Sequence, residues 1–495
     1  MKHRAPPATE PDRTERPAGP GNPVSPGWTR RAVLRAGASA ATASLLLPTC
    51  TRTAVAARPN IVLVVADDLG LECLGAYGGT TFSTPSLDLL ASEGMRFTSV
   101  FATPACAPSR AEILTGRYPF RTGWIDNAGP LSPRFLRPSE PTFARTLRDA
   151  GYATAIAGKW QLGSLEEHPD MPQDSGFTES CCWSLERVGN QLRPTPDNRR
   201  YFAPRLWQNG VKLGHENDPT AYAPDIETSF LTDFVRRHAR QPFLVYHALN
   251  LPHAPYHVPP GRKAPELPED EGQRMALLYA LMVSYMDELV GRWMRFLVEE
   301  GLERDTLLLF TSDNGGNENF VVELDGREIR GGKFTLGESG SNVPFLARQP
   351  GTIAAGSVCS ELVDFTDLLT TFADLGQAPL PQRVVLDGHS FVAPLHGTGR
   401  TTRAWVYVQL GRNAFIRNEG WRLASDGHLF RVEGTYSDQP VDPRTDAAAR
   451  TAYDELRAAM LTLLGNDTKR LRLSEALLRG EGIAPAPPPD AGRRS

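Results

Sequence analysis

Short apolar runs alternate with stretches of helical periodicity between residue 59 and about residue 375. The clearest run, at 61–65, is unbroken and rich in β-branched residues, as expected for a strand that is buried on both faces. Comparable runs cover 153–157, 243–249 and 306–311. Strands of this kind that alternate with helices are typical of an α/β fold, in which helices flank a large, mostly parallel sheet.

Three helices are predicted from the polar and apolar positions between these runs. The segments 85–92 and 141–150 are followed by Gly94 and Gly151, and glycine commonly ends a helix. The longest helix is predicted over 271–300, where apolar residues recur at helical spacing. We interpret that apolar stripe as a face that packs on the core.

The pattern changes near residue 376. Prolines and glycines at 379–388 indicate a linker, and four short apolar segments before a helix at 447–464 indicate a meander of strands with one helix. The four segments are 405–410, 414–417, 421–424 and 428–432. The predicted division of the chain is a leader with a signal peptide at 1–57, a catalytic α/β domain at 58–375, a small C-terminal α+β domain with an antiparallel sheet at 376–470 and a flexible tail at 471–495.

The leader carries the pattern of an export signal. Arg30 and Arg31 precede the small and apolar segment 36–47, which predicts recognition by the Tat export machinery and a location in the periplasm or outside the cell. That segment is too short for a stable membrane span. Residues 54–56 suit simple cleavage, which we favour over lipoprotein anchoring at Cys50. A disordered basic tail is the remaining alternative.

Overall composition narrows the classes of function. The 495 residues are 40% hydrophobic and 22% charged, as in an ordinary globular protein. The formal net charge of −4 predicts no affinity for nucleic acid or anionic membranes, so an anionic ligand must be bound by local positive charge. The six cysteines have the spacing of neither a zinc site nor a disulfide framework. Whether the adjacent Cys181 and Cys182 oxidise is left open.

Polar side chains follow four of the predicted strands at the point where each strand ends. Asp67 and Asp68 follow the first run, and an Asp-Asn pair at 313–314 follows the last. Lys159 follows the run at 153–157, and His253 lies in a loop after the run at 243–249. Because ligands of open α/β sheets bind at the carboxyl ends of the strands, we expect these groups to share one site.

The acidic members of this set predict a metal site. Asp67, Asp68, Asp313 and Asn314 offer oxygen ligands only, which suit Ca²⁺ or Mg²⁺ better than Zn²⁺. We favour Ca²⁺ over Mg²⁺, because nothing in the sequence indicates a small octahedral site. A carboxylate cluster with a purely structural role is the alternative.

Cys106 opens the string Cys106-Ala107-Pro108-Ser109-Arg110. The sequence predicts a loop at Cys106 and a helix over 109–114, so that the helix dipole and the fixed charge of Arg110 lie beside the sulfur. Lys159 and Lys333 each follow glycine and are candidates to hold the oxygens of an anionic ester. A solvated surface charge is the alternative for either lysine taken alone.

These motifs together resemble the formylglycine-dependent sulfatases, the arylsulfatase family of the alkaline-phosphatase-like superfamily. The resemblance runs from 59 to 434 and implies the alkaline-phosphatase-like form of the α/β fold. The matching segments are 67–70, 83–88, 106–110, 115–117, 121–123, 158–160, 252–255, 312–315, 331–333 and 343–344.

The resemblance implies a sulfuric ester hydrolase in which Cys106 is converted to formylglycine by a formylglycine-generating enzyme. The aldehyde hydrates, one hydroxyl attacks sulfur, and the alcohol leaves. The second hydroxyl then loses its proton and sulfate is expelled, which regenerates the aldehyde. A sulfated small molecule or glycan is the implied substrate.

The resemblance also implies a role for each site residue. Asp67, Asp68, Asp313 and Asn314 would bind the cation together with the group derived from Cys106. Arg110 would support the hydrate, and Lys159 and Lys333 would bind sulfate oxygens. His253 would lie near the leaving oxygen and could protonate it.

Two positions depart from the family pattern. Gln161 stands where a histidine usually orients formylglycine and accepts its proton, and glutamine cannot act as a base. Slow turnover, a different base such as His253 or water, or a different substrate would each be consistent with Gln161. Asn342 stands in place of an arginine, for which we expect a structural role.

Two other functions remain compatible with these motifs. One is hydrolysis of phosphodiesters or phosphonate monoesters on the same fold. The other is a weakly active or non-catalytic binder of sulfated ligands, which Gln161 would allow but an intact Cys106 argues against. We expect specificity to reside in loops such as 178–216 and in the C-terminal domain.

Overall fold

The computed structural model describes residues 58–127, 132–188, 191–193, 199–263 and 265–485. The predicted leader at 1–57, with its twin arginine and Cys50, lies outside these residues, as does the end of the predicted tail. Across the described part of the chain, every helix is too short or too polar to span a bilayer.

Most strands of the described residues are short, and only β1, β4, β5, β10 and β11 exceed five residues. The strands are β1 (Asn60–Ala66), β2 (Met95–Phe97), β3 (Val100–Phe101), β4 (Ala153–Trp160), β5 (Glu179–Ser184), β6 (Glu186–Val188), β7 (Gln191–Arg193), β8 (Trp207–Gln208), β9 (Val211–Lys212), β10 (Phe243–Ala248), β11 (Thr306–Ser312), β12 (Val321–Leu324), β13 (Arg327–Arg330), β14 (Phe345–Arg348), β15 (Ser357–Cys359), β16 (Val363–Asp364), β17 (Val406–Leu410), β18 (Asn413–Arg417), β19 (Trp421–Ala424), β20 (Leu429–Val432) and β21 (Asp438–Val441).

The helices are distributed between the strands along the whole described chain. They are α1 (Pro85–Ser92), α2 (Cys106–Thr115), α3 (Pro119–Thr122), α4 (Phe143–Asp149), α5 (Met171–Asp174), α6 (Ala223–His238), α7 (Glu271–Glu299), α8 (Glu338–Ser341), α9 (Asp367–Leu375), α10 (Val392–Leu395), α11 (Ala447–Leu464) and α12 (Glu475–Arg479). Short 3₁₀ helices lie at Leu71–Cys73, Gly75–Tyr77, His215–Asn217 and Gly465–Arg470.

One sheet of ten described strands organises the molecule, in the order β15-β2-β14-β11-β1-β10-β4-β5-β8-β9. The five strands from β11 to β5 run parallel, with Val62 opposite both Val245 and Leu308. The outer pairs are antiparallel, except that β15 runs parallel to β2. The predicted α/β class, with a mostly parallel sheet and flanking helices, is confirmed.

The four predicted apolar runs became β1, β4, β10 and β11, which are neighbours in the centre of that sheet. Every residue of these four strands is buried, which explains their unbroken apolar pattern. The short edge strands carried no such signal, because two to four residues are too few to establish a period.

The predicted helices are present with small shifts at their ends. The helix at 85–92 is α1, and α7 ends one residue earlier than predicted. Most of the predicted apolar stripe of α7 is buried, including Tyr285, Leu289 and Trp293. The helix predicted at 141–150 begins later, because Thr142 accepts a hydrogen bond from the Arg145 backbone and therefore caps α4.

The C-terminal strands form a five-stranded antiparallel meander from β17 to β21. Four of them correspond to the predicted segments, whereas β21 is polar and contains Pro440, so its pattern did not indicate a strand. Helix α11 begins where Asp446 caps it, and Tyr453 and Leu456 of that helix pack in one core with Ile416 and Leu423 of the sheet. The division into separate domains at residue 375 stays a prediction.

Candidate active site

The carboxyl ends of four adjacent parallel strands bring the polar groups to one edge of the sheet. Asp67 and Asp68 follow β1, and Asp313 and Asn314 follow its neighbour β11. On the other side of β1, the loop after β10 carries His253. All four Asp and Asn side chains are fully buried or nearly so.

Lys159 lies inside the end of β4 rather than beyond it, because the strand continues to Trp160. The residue before it, Gly158, has a φ of +105°. A Cβ at Gly158 would lie 1.9 Å from the carbonyl oxygen of Ala248. Glycine is therefore required where β4 and β10 approach, and it sets the direction in which Lys159 leaves the strand.

Cys106 is the first residue of α2 and not part of the preceding loop, which corrects the prediction of a helix over 109–114. Pro108 had indicated a later start, but proline is tolerated in the first turn, where backbone N–H groups have no helical partner. The Cys106 Sγ lies 3.5 Å from Asp67 Oδ1 and 3.6 Å from Asp68 Oδ1. The helix therefore places the sulfur directly against two carboxylates.

Four ligand atoms converge there. One atom each of Asp67, Asp68, Cys106 and Asp313 lies within 4.8 Å of the others. Asn314 Nδ2 donates to Asp68 Oδ1 at 2.9 Å, whereas the buried Asn314 Oδ1 has no hydrogen-bond partner among the described residues. A buried acceptor without a donor, beside three carboxylates, fits a hard divalent cation.

Buried cationic side chains surround the carboxylates, and two of them are lysines. Lys159 Nζ lies 2.7 Å from both oxygens of Asp67, and Lys333 Nζ lies 2.6 Å from Asp68 Oδ2. Burial would raise the pKa of Asp67 and of Asp68, but the neighbouring lysines outweigh it and hold both pKa values below the usual range. Both carboxylates are therefore ionised and available as ligands at neutral pH.

At Asp313 and at the Cys106 thiol, unlike at Asp67 and Asp68, burial outweighs the neighbouring positive charges and the pKa rises. Arg110 Nη2 lies 2.7 Å from Asp313 Oδ2, yet burial raises the pKa of Asp313 to about 6. Burial and the charge of Asp313 also raise the pKa of the Cys106 thiol well above its ordinary value. The unmodified Cys106 is therefore a protonated thiol and not a thiolate.

His253 reaches the cluster from its loop with one ring nitrogen. Its Nδ1 donates to the carbonyl oxygen of Ala254 at 2.7 Å, because that oxygen can only accept. Its Nε2 lies 3.6 Å from Asp68 Oδ2. Burial lowers the pKa of His253 to about 4, so the ring is neutral and Nε2 carries a lone pair.

Asp68 holds a left-handed backbone, with a φ of +69°. Its N–H donates to Asp313 Oδ1 at 3.2 Å, and its carbonyl oxygen accepts from the Tyr279 hydroxyl at 3.1 Å. A non-glycine residue in this region is strained, and such strain persists only where the surroundings fix it. Here the left-handed backbone directs the Asp68 carboxylate toward the Cys106 sulfur.

Gln161 follows β4 directly and is 7% exposed. Its Oε1 is buried without a hydrogen-bond partner among the described residues. Asn342, the second departure from the family pattern, accepts from the Val100 backbone and donates to the Thr98 carbonyl, each at 3.3 Å. Those two contacts join the segment 98–100, which precedes Cys106 in the chain, to the residue three positions before strand β14. This is the kind of structural role expected of Asn342.

Two residues of this site were not identified from the sequence. Arg200 is buried over the ring of Trp183, and its Nη1 lies 3.5 Å from Asp67 Oδ2. Asn127 accepts from the Ala107 backbone at 2.9 Å and lies 3.8 Å from the Cys106 sulfur through its Nδ2. Neither follows a strand or a glycine, so no pattern marked them, although Arg200 lies within the predicted specificity loop 178–216.

Comparison with known proteins gives the same family as these motifs. The family model described as Sulfatase matches residues 59–378. Arylsulfatase A of Homo sapiens is 34% identical over 438 residues, which cover 83% of each chain. N-acetylgalactosamine-6-sulfatase of Rattus norvegicus is 33% identical over 67% of this chain and 64% of its own.

Solved structures agree on the fold. The crystal structure of Ps i-CgsB superposes with a TM-score of 0.68 and 24% identity, over 86% of this chain and 96% of that one. Sulfatases of this family use formylglycine and a divalent metal. The chain belongs to the sulfatase family and is a sulfuric ester hydrolase.

Proposed function

We propose that this sulfatase cleaves its ester with an oxidised Cys106, held against a divalent cation at the carboxyl ends of β1 and β11. The observation that carries the proposal is the position of the Cys106 sulfur, 3.5 and 3.6 Å from the carboxylates of Asp67 and Asp68. A protonated thiol has one hydrogen to donate, so it can bond to only one of the two carboxylates at a time. An oxygen in the place of the sulfur would be a ligand of the same cation.

The raised pKa of Cys106 supports its conversion to formylglycine. A protonated thiol is a poor nucleophile, so direct thiolate chemistry does not suit this site. In the hydrate of formylglycine, a hydroxyl oxygen would stand where Sγ now lies. A formylglycine-generating enzyme is the partner that this conversion requires.

Asp67, Asp68, Asp313 and Asn314 are the residues that would hold the cation. The unpartnered Oδ1 of Asn314 and the ionised carboxylates of Asp67 and Asp68 fit Ca²⁺, with Mg²⁺ the less favoured choice. When bound, the cation supplies positive charge that favours ionisation of the hydrate and stabilises sulfate oxygens.

The cationic side chains bind and orient the sulfate. Lys159 and Lys333 have ammonium groups beside the two ligand carboxylates, so both reach a sulfate that lies against the cation. Arg110 supports the group at position 106 from beneath through its ion pair with Asp313. Arg200 adds a fourth positive charge near Asp67.

Proton transfer falls to His253, because Gln161 cannot accept a proton. The free lone pair of His253 Nε2 takes a proton from the attacking hydroxyl as its oxygen bonds to sulfur. The bond from sulfur to the ester oxygen then breaks, and the same proton passes to that oxygen. The second hydroxyl next gives its proton to the free lone pair of His253 Nε2, the carbon–oxygen bond to sulfate breaks, and the aldehyde is restored.

The substrate class and the location of the enzyme are extensions of this proposal. A sulfated small molecule or glycan suits the family, one of whose members matched above is named for a sulfated sugar. The twin arginine at 30–31 supports Tat-dependent export to the periplasm or the cell exterior. Hydrolysis of phosphodiesters or phosphonates is not favoured, because the curated relatives at 33–34% identity are sulfatases.

The central test is the chemical state of Cys106. Mass analysis of the peptide 103–117 from protein made in its native host should show formylglycine, and the enzyme should release sulfate from 4-nitrophenyl sulfate. Cys106→Ala should lower that rate at least about a thousand-fold. Cys359→Ala makes the same change at another buried cysteine and should leave the rate within about two-fold of wild type. An unmodified Cys106 in fully active protein would refute the proposal.

The role of His253 has its own test. His253→Asn should lower kcat about a hundred-fold or more and remove the acidic limb of the pH–rate profile. Gln161→His should then change kcat little. The opposite result, a near-normal His253→Asn and a large gain from Gln161→His, would show that the protein turns over slowly for want of the usual base.

A further inference from the structure

Phe334, which directly follows Lys333, combines two unfavourable features. Its backbone is left-handed, with a φ of +63°, which a bulky side chain adopts only under constraint. Its side chain is 47% exposed, and it has no ring contact with another described aromatic residue. Neither feature contributes to stability, so a functional reason is expected.

Hydrogen bonds of the surrounding loop hold Phe334 in place. Its N–H donates at 2.8 Å to the carbonyl oxygen of Pro104, two residues before Cys106. The backbone N–H of Lys333 donates to the carbonyl oxygen of Gly316, and the backbone N–H of Thr335 donates to the carbonyl oxygen of Gly332. The backbone of Phe334 is therefore fixed relative to the nucleophile.

Tyr436 has the same left-handed backbone conformation as Phe334, but its side chain has a structural role. It has a φ of +58°, but its N–H donates to Glu338 at 2.7 Å and its hydroxyl donates to Glu72 at 2.6 Å. Both bonds join separate parts of the chain and offset the strain. Among the described residues, the Phe334 ring makes no comparable contact apart from that with the ammonium of Lys333.

That one contact locates the ring relative to the substrate. Lys333 Nζ lies 5.1 Å from the centre of the Phe334 ring and 2.6 Å from Asp68 Oδ2. If Lys333 holds a sulfate oxygen, the ring stands beside the sulfate on its solvent side. The organic half of the ester is the only part of a substrate that extends in that direction.

We propose that Phe334 is a substrate-binding residue, and that its exposed ring stacks on a ring of the organic half of the ester. This inference rests on the proposed function, since it places sulfate at Lys333. It predicts a preference for sulfate esters whose alcohol carries a flat apolar face, such as an aryl or a sugar ring. Small anions without such a group would not contact Phe334.

The test separates binding of the ring from binding of the sulfate. In Phe334→Ala, KM for 4-nitrophenyl sulfate should rise about ten-fold, kcat should change less than about three-fold, and Ki for inorganic sulfate should not change. Phe334→Tyr keeps the ring and should retain the wild-type KM. Leu478→Ala removes another exposed apolar side chain, which is 48% exposed on α12, and should alter none of these values. A glucosamine 6-sulfate assayed in parallel shows whether an aryl or a sugar ring gains more from Phe334.

Two results would overturn the inference. One is an unchanged KM in Phe334→Ala. The other is a parallel rise in KM and in Ki for inorganic sulfate, which would mean that the ring only positions Lys333. If the wild type releases no sulfate, the proposed function fails instead, and calorimetric titration with phenylphosphonate and inorganic sulfate still decides the inference. Phe334→Gly should in addition raise the midpoint of thermal unfolding by about 2 °C, because it removes the strain.

Discussion

Two of the clusters of buried charges among the described residues differ in whether their hydrogen bonds are complete. The cluster to which we assign the reaction, called the catalytic cluster below, consists of Asp67, Asp68, Asp313 and Asn314 with the cations beside them. The structural cluster consists of Asp364, Asp367 and Arg403, which join β16 and α9 to the chain that leads into β17. Both are shielded from water, and both contain arginine–aspartate pairs.

Every polar atom of the structural cluster has a partner. Arg403 donates to Asp367, to the Tyr118 hydroxyl and to two backbone carbonyl oxygens. Asp364 accepts from the backbone of Thr366 at 2.9 Å and from Tyr118 at 3.2 Å. A buried ionic group that is satisfied in this way has no capacity left for a ligand.

The catalytic cluster and the side chains around it, by contrast, contain polar atoms that lack a hydrogen-bond partner among the described residues. Among the described residues, Asn314 Oδ1, Gln161 Oε1 and the Nε and Nη1 atoms of Arg200 have no hydrogen-bond partner. Leaving such atoms buried costs free energy, which a bound cation and substrate would recover. The catalytic cluster therefore differs from the structural cluster in its incomplete bonding at a point where several ligand atoms converge, rather than in charge or burial.

The largest expected effect is a loss of activity without a comparable loss of stability, caused by a substitution in the catalytic cluster. Lys159→Met should lower kcat/KM for 4-nitrophenyl sulfate about 100- to 1000-fold, because it removes a charge that stabilises the transition state. Its cost in stability should be about 1 kcal/mol or less in the presence of Ca²⁺, since Arg200 and the cation still neutralise Asp67. Chemical denaturation of the same preparation measures that cost. A variant that is active but unstable would break the comparison.

Arg403→Met should give the reverse result. Removing the cation leaves Asp367 buried without its ionic partner, so the free energy of unfolding should fall by about 3–5 kcal/mol. Activity per folded molecule should stay within about two-fold of wild type. Both values come from one urea titration with activity measured below the transition. A selective loss of activity would mean that this cluster also serves the reaction.

Removal of the cation should give a smaller effect, confined to the catalytic cluster. Chelation with EDTA should lower the free energy of unfolding by about 2–3 kcal/mol if Ca²⁺ had been present at about a hundred times its Kd. Asp313→Asn should abolish most of this response, whereas Arg403→Met should keep it. Thermal melts with and without Ca²⁺ measure the effect, and a shift of the same size in Asp313→Asn would count against the assigned ligands.

Glu227 extends the comparison to a buried carboxyl group that has no cationic partner among the described residues. Both of its carboxylate oxygens lack a partner among the described residues, and burial raises its pKa to about 8. The folded protein thus keeps a proton that the unfolded chain releases near pH 4.5, so stability is highest at low pH and falls as pH rises toward 8. The difference between wild type and Glu227→Gln should change by about 1.4 kcal/mol per pH unit between pH 5 and 7.5. Parallel denaturation curves at four pH values would show it, and a constant difference would contradict it.

The parts of the site that depend on regular structure were predicted from the sequence. Asp67 and Asp313 were identified because each follows an unbroken apolar run, and the order of parallel strands brings such residues together. The start of α2 was placed too late, because Pro108 was taken as a residue before the helix. The position of Arg200 depends on how the loop 178–216 folds over Trp183, and no local pattern encodes that. The left-handed backbone of Phe334 is fixed by Pro104, which lies far away in sequence.

If Cys106 is oxidised as proposed, the burial of α2 sets a time limit on that oxidation. Every residue of α2 is buried, and Cys106 has no exposed surface. An enzyme that oxidises Cys106 would have to hold the surrounding chain, and it could do so only before α2 is buried. Oxidation and folding would then be two competing rates, and each molecule that folded first would be inactive from then on. The specific activity of a preparation would therefore be proportional to the fraction of molecules that were oxidised before they folded. Slower folding, or more of the oxidising enzyme, would raise that specific activity.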